Sequence, residues 1–289
     1  MMRKALSKKV QFEEGEGIIH GFTTGLVSVK SRFRTAKGGQ LVSKINFLLD
    51  KEWTEFMPIW VWVIDHPEGV FVIDTGENAN VSKEGYFKKE GAILNYINTK
   101  SFKFDVKPEE EIGTQLKRLG YLQDDIKKVV MTHMHLDHFD GLNFFDKTEI
   151  ILNEYEWNHP SFALPSLYPD WLEPNLIKLD EYKHSIFNRQ HQLTESKEIS
   201  LIHTPGHTKG HCSVLLKTKD LDYLFAGDVT YNQNQLFNEI NAGGHQNFKM
   251  SKNTFTNIKQ YSNKNKLIYL PSHDEKSLDR LLNNEYMIF

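Results

Sequence analysis

Apolar and polar positions fall into short blocks along this chain. Residues 17–29 (GIIHGFTTGLVSV) and 43–49 (SKINFLL) are rich in β-branched and aromatic residues and predict strands. Two nearly continuous apolar runs follow, 58–65 (PIWVWVID) and 69–74 (GVFVID), with HPEG as the turn between them. Such runs predict strands covered on both faces. The polar stretch 77–105 is long for a connection, and a short helix is expected within it. Ile112, Leu116 and Leu119 make a helical stripe over 108–119, opened by Pro108 and closed by Gly120. Further strands are expected at 124–133, 149–153, 198–205, 211–218, 221–228 and 266–273, and helices at 251–263 and 275–284. Residues 153–175 are rich in aromatics and proline and predict short helices and loops. This alternation points to a layered α/β sandwich. No Gly/Ser/Pro-rich linker divides the chain, so residues 1–289 are expected to form a single domain.

Composition narrows the partners. The 289 residues are 39% hydrophobic and carry a formal net charge of −3, so no basic field suggests nucleic acid. The basic N-terminal stretch MMRKALSKKVQF has no apolar segment behind it, which argues against a secretory signal. No window approaches the ~18 apolar residues that span a bilayer, and no membrane partner is expected. The one cysteine, Cys212, excludes an intrachain disulfide and is expected as an inert buried thiol in a cytoplasmic protein. It also excludes a multi-thiolate metal site, leaving histidine and carboxylate.

Those residues gather at the ends of expected strands. The motif 133-HMHLDH-138 supplies His133, His135, Asp137 and His138; TPGHTKGH supplies His207, AGD supplies Asp228 and PSHD supplies His273. Four ligand-type residues in six positions are costly to bury without a shared purpose. Side chains two apart share a face, so His133 and His135 can serve one ion with His207, while Asp137 and His138 serve a second with His273. Asp228, with two oxygens, can bridge. Neutral imidazole and carboxylate suit two divalent ions, zinc by default. A hydroxide between two metals would be a nucleophile near neutral pH. His245, in the segment NAGGHQNF, is expected to be solvated.

HMHLDH, TPGHTKGH, AGD and PSHD, in this order, together with FVIDTG (71–76), resemble the metallo-β-lactamase superfamily. The resemblance implies a four-layer αβ/βα sandwich of two mixed central sheets flanked by helices, with two metals at the sheet edges. It also implies that Asp74 steadies the metal-bound groups. Tyr231, three residues after Asp228, resembles the N-acyl-homoserine lactonases, in which this phenol faces the substrate carbonyl. That likeness implies a quorum-quenching lactonase, with Asp137 protonating the leaving ring oxygen. The alternative is hydrolysis of another lactone, ester, thioester or phosphodiester. Leu136 replaces the phenylalanine common in those lactonases, beside the substrate amide. An acyl tail needs an apolar groove, for which Trp53, Phe56, Met57, Phe87 and Trp157, with Phe162 and Trp171, are the candidate walls. A homodimer through the aromatic insert is also an expectation.

Overall fold

The computed structural model describes residues 5–288. The first four residues of the basic N-terminal stretch lie outside the described residues, as does Phe289. One mixed sheet holds β1 (Leu6–Phe12), β2 (Gly15–Val29), β3 (Met57–His66), β4 (Gly69–Ile73), β5 (Phe102–Asp105), β6 (Ile126–Val130), β7 (Glu149–Asn153) and β8 (Asn175–Ile177). Its order is β1-β2-β3-β4-β6-β7-β8, with β5 also on β2; pairing is parallel from β4 onward. The second sheet holds β9 (Asp180–Glu181), β10 (Arg189–Gln192), β11 (Ile199–His203), β12 (Cys212–Lys217), β13 (Asp222–Gly227) and β14 (Leu267–Pro271). Its order is β14-β13-β12-β11-β10-β9, and only β13 and β14 pair in parallel. The helices are α1 (Ser31–Arg34), α2 (Gln40–Leu49), α3 (Gly91–Ser101), α4 (Ile112–Leu119), α5 (Leu136–Phe139), α6 (Glu154–Asn158), α7 (Gln233–Phe237), α8 (Phe248–Ser262) and α9 (Ser277–Asn283).

The continuous apolar runs explain the layering. Strands β3 and β4 are apolar on both faces because both faces are covered. One face (Trp60, Trp62, Ile73) meets Leu201, Val214 and Phe225 of the second sheet. The other (Val61, Val63, Val72) packs under Ile112 and Leu116 of α4. Phe255 and Ile258 of α8 close the outer face of the second sheet. Helix, sheet, sheet and helix form four layers. Fully burying side chains of this size stabilises by about 1.5–3 kcal/mol each.

Two segments differ from expectation. The helix expected over 108–119 begins at Ile112, because Pro108–Glu110 makes a separate tight turn and Glu111 is extended (φ −59°, ψ 148°). Residues 43–49, expected as a strand, belong to helix α2. Leu41, Val42, Ile45, Leu48 and Leu49 recur with the helical period rather than alternating. Among the described residues, no helix is long and apolar enough to cross a membrane.

Candidate metal centre

Four loops at the joint edge of the two sheets carry the site. Beyond β6 the chain turns through His133 and His135, then α5 makes one helical turn that presents Asp137 and His138. Thr75, just past β4, pins that turn: its backbone N–H and its hydroxyl both donate to the His138 carbonyl (2.7 and 2.8 Å). His207 lies in the loop after β11, Asp228 directly after β13, and His273 just after β14. The glycine before Asp228 is required. Gly227 has φ +56°, and a Cβ there would come within 2.6 Å of His211 Nε2.

The structure brings all seven residues together. Potential ligand atoms of His133, His135 and His207 lie within 4.8 Å of one another, as do those of His133, His138 and Asp228, and those of Asp137, His138 and His273. Asp228 stands between the two ends. Its Oδ2 is 3.4 Å from His207 Nε2, and its Oδ1 is 3.3 Å from both His138 Nε2 and His273 Nε2. Asp137 Oδ2 is 3.3 Å from His273 Nε2.

Hydrogen bonds at the far side of the His133, His135, His138 and His273 rings aim the near side inward. His138 Nδ1 donates to Asp74 Oδ2 (2.7 Å), and His273 Nδ1 donates to the Pro58 carbonyl (2.9 Å). His135 Nε2 donates to the Ser161 carbonyl (2.8 Å), leaving Nδ1 free to face the cluster. His133 Nδ1 contacts Thr132 Oγ1 (3.0 Å), whose hydroxyl donates to Asp74 Oδ2 (2.8 Å). The Thr132 backbone N–H donates to Asp74 Oδ1 (2.8 Å), so Asp74 braces both ends of the motif. It does so from a left-handed backbone (φ 57°), a strained conformation the surrounding bonds maintain.

These residues fit divalent metal on their own chemistry. His133 Nε2, His138 Nε2 and Asp228 Oδ1 are buried and have no hydrogen-bond partner. His135 Nδ1 and His207 Nε2 face each other at 2.8 Å. Converging buried lone pairs are costly unless a cation sits among them. Burial holds His133 and His207 well below the ordinary histidine value, so both are neutral and able to ligate. Burial works against charge on His273, but Asp228 and Asp137 nonetheless raise it to about 10. Burial also opposes ionisation of Asp228, yet the His273, His138 and His207 rings hold its carboxyl well below the usual range.

Beside the cluster opens an apolar cavity. His135, Asp137, Asp228, Tyr231 and His273 form its polar end, with Leu136 beside them. Tyr231 stacks on His273 with ring centroids 5.3 Å apart. Burial, then the charges of Asp228 and Asp137, push its phenol well above the usual value, so it keeps its proton. The apolar walls come from Val27 and Val29 on β2, Phe33 on α1, Phe47 on α2, Leu94 and Ile97 on α3, and Phe102 and Phe104 on β5. Of the walls expected from sequence, only Leu136 and Phe162 line it. Trp53 lies between the ammonium groups of Lys30 and Lys103 (4.0 and 3.9 Å). Phe56 and Met57 border a smaller neighbouring cleft, and Phe87 is buried in the core under α4. Trp157 stacks on Tyr168 (5.7 Å), and Trp171 packs on the same core, so the insert spends these aromatics inside the chain.

Other polar residues depart from the sequence reading or escaped it. His245 is fully buried rather than solvated, with Nδ1 2.9 Å from Ser251 Oγ and its ring 5.7 Å from His207. The wall of α8 covers it, which its own glycine-flanked segment does not reveal. Buried His211 accepts the Asp228 backbone N–H (3.1 Å). Glu156 accepts from Met134 N–H (3.2 Å) and Thr208 Oγ1 (2.6 Å), joining the loops of His133 and His207. Asp140 turns away to Tyr86 (2.6 Å) and Asn78 (2.5 Å). Cys212 is buried, and burial raises its thiol well above the usual value.

Comparison with known proteins adds independent findings. The model of the metallo-beta-lactamase superfamily matches residues 54–273. An N-acyl homoserine lactonase of a Bacillus species is 28% identical over 223 residues, covering 75% of this chain and 82% of the relative. One from Bacillus cereus is 26% identical over the same shares. Among solved structures, an N-acyl homoserine lactone hydrolase with N-hexanoyl-L-homoserine at its catalytic metal centre aligns at TM-score 0.73 and 18% identity, over 99% of this chain and all of that one. A dizinc quorum-quenching lactonase aligns at TM-score 0.61 and 16% identity, over 94% of this chain and 91% of its own. At these identities the structural likeness concerns the fold.

Proposed function

This chain belongs to the metallo-β-lactamase superfamily, and on that premise we propose that it is a dinuclear metal hydrolase opening the lactone ring of N-acyl homoserine lactones. One observation carries the reading: a seven-residue His/Asp cluster presents His135, Asp137, Asp228 and His273, beside the Tyr231 phenol, to the polar end of an otherwise apolar cavity. Its apolar walls suit an acyl chain, with the ring ester at the cluster. The relatives named as lactonases support it. Residues 1–289 act as one domain in this reading.

His133, His135 and His207 would hold one ion; Asp137, His138 and His273 would hold the other, with Asp228 reaching both. Two such ions, zinc by ligand type, supply Lewis acidity and a hydroxide available near neutral pH. Tyr231 donates its phenolic hydrogen bond to the lactone carbonyl oxygen, where negative charge grows as the carbonyl is attacked. Asp137 is the more open of the two aspartates, with its side chain 17% exposed against 3% for Asp228. It takes the proton of the attacking oxygen and returns it to the ring oxygen as the acyl carbon–oxygen bond breaks. Leu136 contacts the amide end of the chain. The product is the open N-acyl homoserine.

The test is to load the protein with zinc, supply short- and long-chain acyl homoserine lactones, and follow proton release. Ring opening well above the uncatalysed rate is expected, with about two zinc ions per chain by elemental analysis. Absence of ring opening, alongside turnover of an aryl phosphodiester or a thioester, would sink the reading.

A further inference from the structure

Helix α2 carries an exposed apolar stripe. Its inner side mixes polar and apolar groups: Ser43 is buried, the Gln40 amide donates to the Gln246 carbonyl (2.7 Å), and Phe47 lines the cavity. Its apolar stripe points outward, with Leu41, Val42, Ile45, Leu48 and Leu49 between 54% and 78% exposed. Helix α3 likewise exposes large apolar side chains. Leu94 and Ile97 face the cavity, while Ile93 and Tyr96 are 76% and 65% exposed. A cluster of large exposed aliphatic side chains at this density marks a surface that meets another apolar phase.

Charge says which phase. Residues 37–51 carry three lysines against one carboxylate, Asp50, and residues 83–103 carry five against two, Glu84 and Glu90, in a chain of net charge −3. Lys37, Lys44 and Lys51 are exposed around α2, and Lys88, Lys89 and Lys100 around α3. We propose that the α2–α3 face docks on an anionic lipid surface, its leucines entering the headgroup–acyl boundary and its lysines meeting the headgroups. A second copy of the chain fits less well, because a two-fold contact sets the same lysine-rich face against itself. That no described helix is long and apolar enough to cross a membrane bears on insertion and not on peripheral docking. Resting on the lactonase reading, docking brings the two helices that wall the cavity to where acyl tails partition.

The test mixes the full metal-loaded chain with sedimentable vesicles, without substrate. One set is phosphatidylcholine alone; the other is equal parts phosphatidylcholine and phosphatidylglycerol. Expected is pelleting with the anionic vesicles, about tenfold weaker on the neutral ones and weakening with salt. Leu41→Ser/Ile45→Ser/Leu48→Ser and Lys37→Glu/Lys44→Glu/Lys51→Glu should each reduce anionic-vesicle affinity about tenfold. Both variants should keep wild-type thermal transitions and short-chain lactone turnover, since none of these residues lines the cavity. Pelleting with neither vesicle, equal pelleting with both, or unchanged binding by the folded variants overturns the proposal. So does a dimer abolished by the serine variant while vesicle binding is absent, which would name the second copy instead. Because pelleting needs no hydrolysis, docking can fail while the lactonase reading stands, and the reverse.

Discussion

One side of the cavity is the His/Asp cluster, carried on short loops and the single turn of α5. Thr75, Thr132, Asp74, Glu156 and the Pro58 and Ser161 carbonyls fix them from behind. On the other side, α2, α3 and β5 contribute the half-buried apolar side chains Phe47, Leu94, Ile97, Phe102 and Phe104. The polar side holds atoms at fixed positions, because directional bonds lose their value within a fraction of an ångström. The apolar side offers area, which contributes in proportion to contact and tolerates change of shape. Chemistry should therefore fail abruptly when the first side is altered and drift when the second is.

The largest effect is expected at Asp228. Asp228→Asn removes the charge that faces both ends of the cluster, and should lower ring opening about a thousandfold or more, with loss of bound metal by elemental analysis. Tyr231→Phe should lower kcat about a hundredfold at unchanged metal content, because it removes only a donor to the developing oxyanion. Asp74→Asn touches no ion, yet should weaken metal affinity about 10- to 100-fold by releasing His138 and Thr132; a chelator-competition titration reads it. Proton release sharpens the contrast. In the metal-free chain His273 holds its proton up to about 10, above its unfolded value of about 6.5. Its contribution to metal-free stability is therefore full below about 6.5 and lost as pH rises through about 10. Loading zinc at neutral pH should expel this proton, and metal affinity should rise with pH, as pH-stat and calorimetry would show. The smallest effect is expected on the apolar side. Phe47→Ala should raise KM for long-chain lactones about three- to tenfold and leave short-chain kcat unchanged. A large kcat loss there would erase the distinction between the two sides.

The polar side was legible in the sequence to an unusual degree. Its loops follow strands whose apolar runs are unmistakable, and ligand spacing within HMHLDH is a local property. The supports were not legible where they are backbone carbonyls, since nothing in a side chain marks Pro58 or Ser161 as acceptors. The apolar side was legible only in part: the strand over 17–29 and a helix within 77–105 are present, but most of the expected wall residues lie elsewhere. Residues 43–49 were expected as a strand on β-branched and aromatic content alone, whereas Leu41, Val42, Ile45, Leu48 and Leu49 carry a helical spacing. Trp53, Phe56, Met57, Phe87 and Trp157 were drawn to the groove by size alone, and the fold uses each elsewhere.

By itself the sequence determined the layered α/β class and the identity of the polar cluster, because periodicity and motif spacing are written within a few residues. Only the tertiary structure decided that β2, α1, α2, α3 and β5 wall the cavity, that His245 is covered, and that α2 turns its leucines outward. Those outcomes depend on which distant segments pack together, and apolar contact, being non-directional, leaves no local signature of its partner.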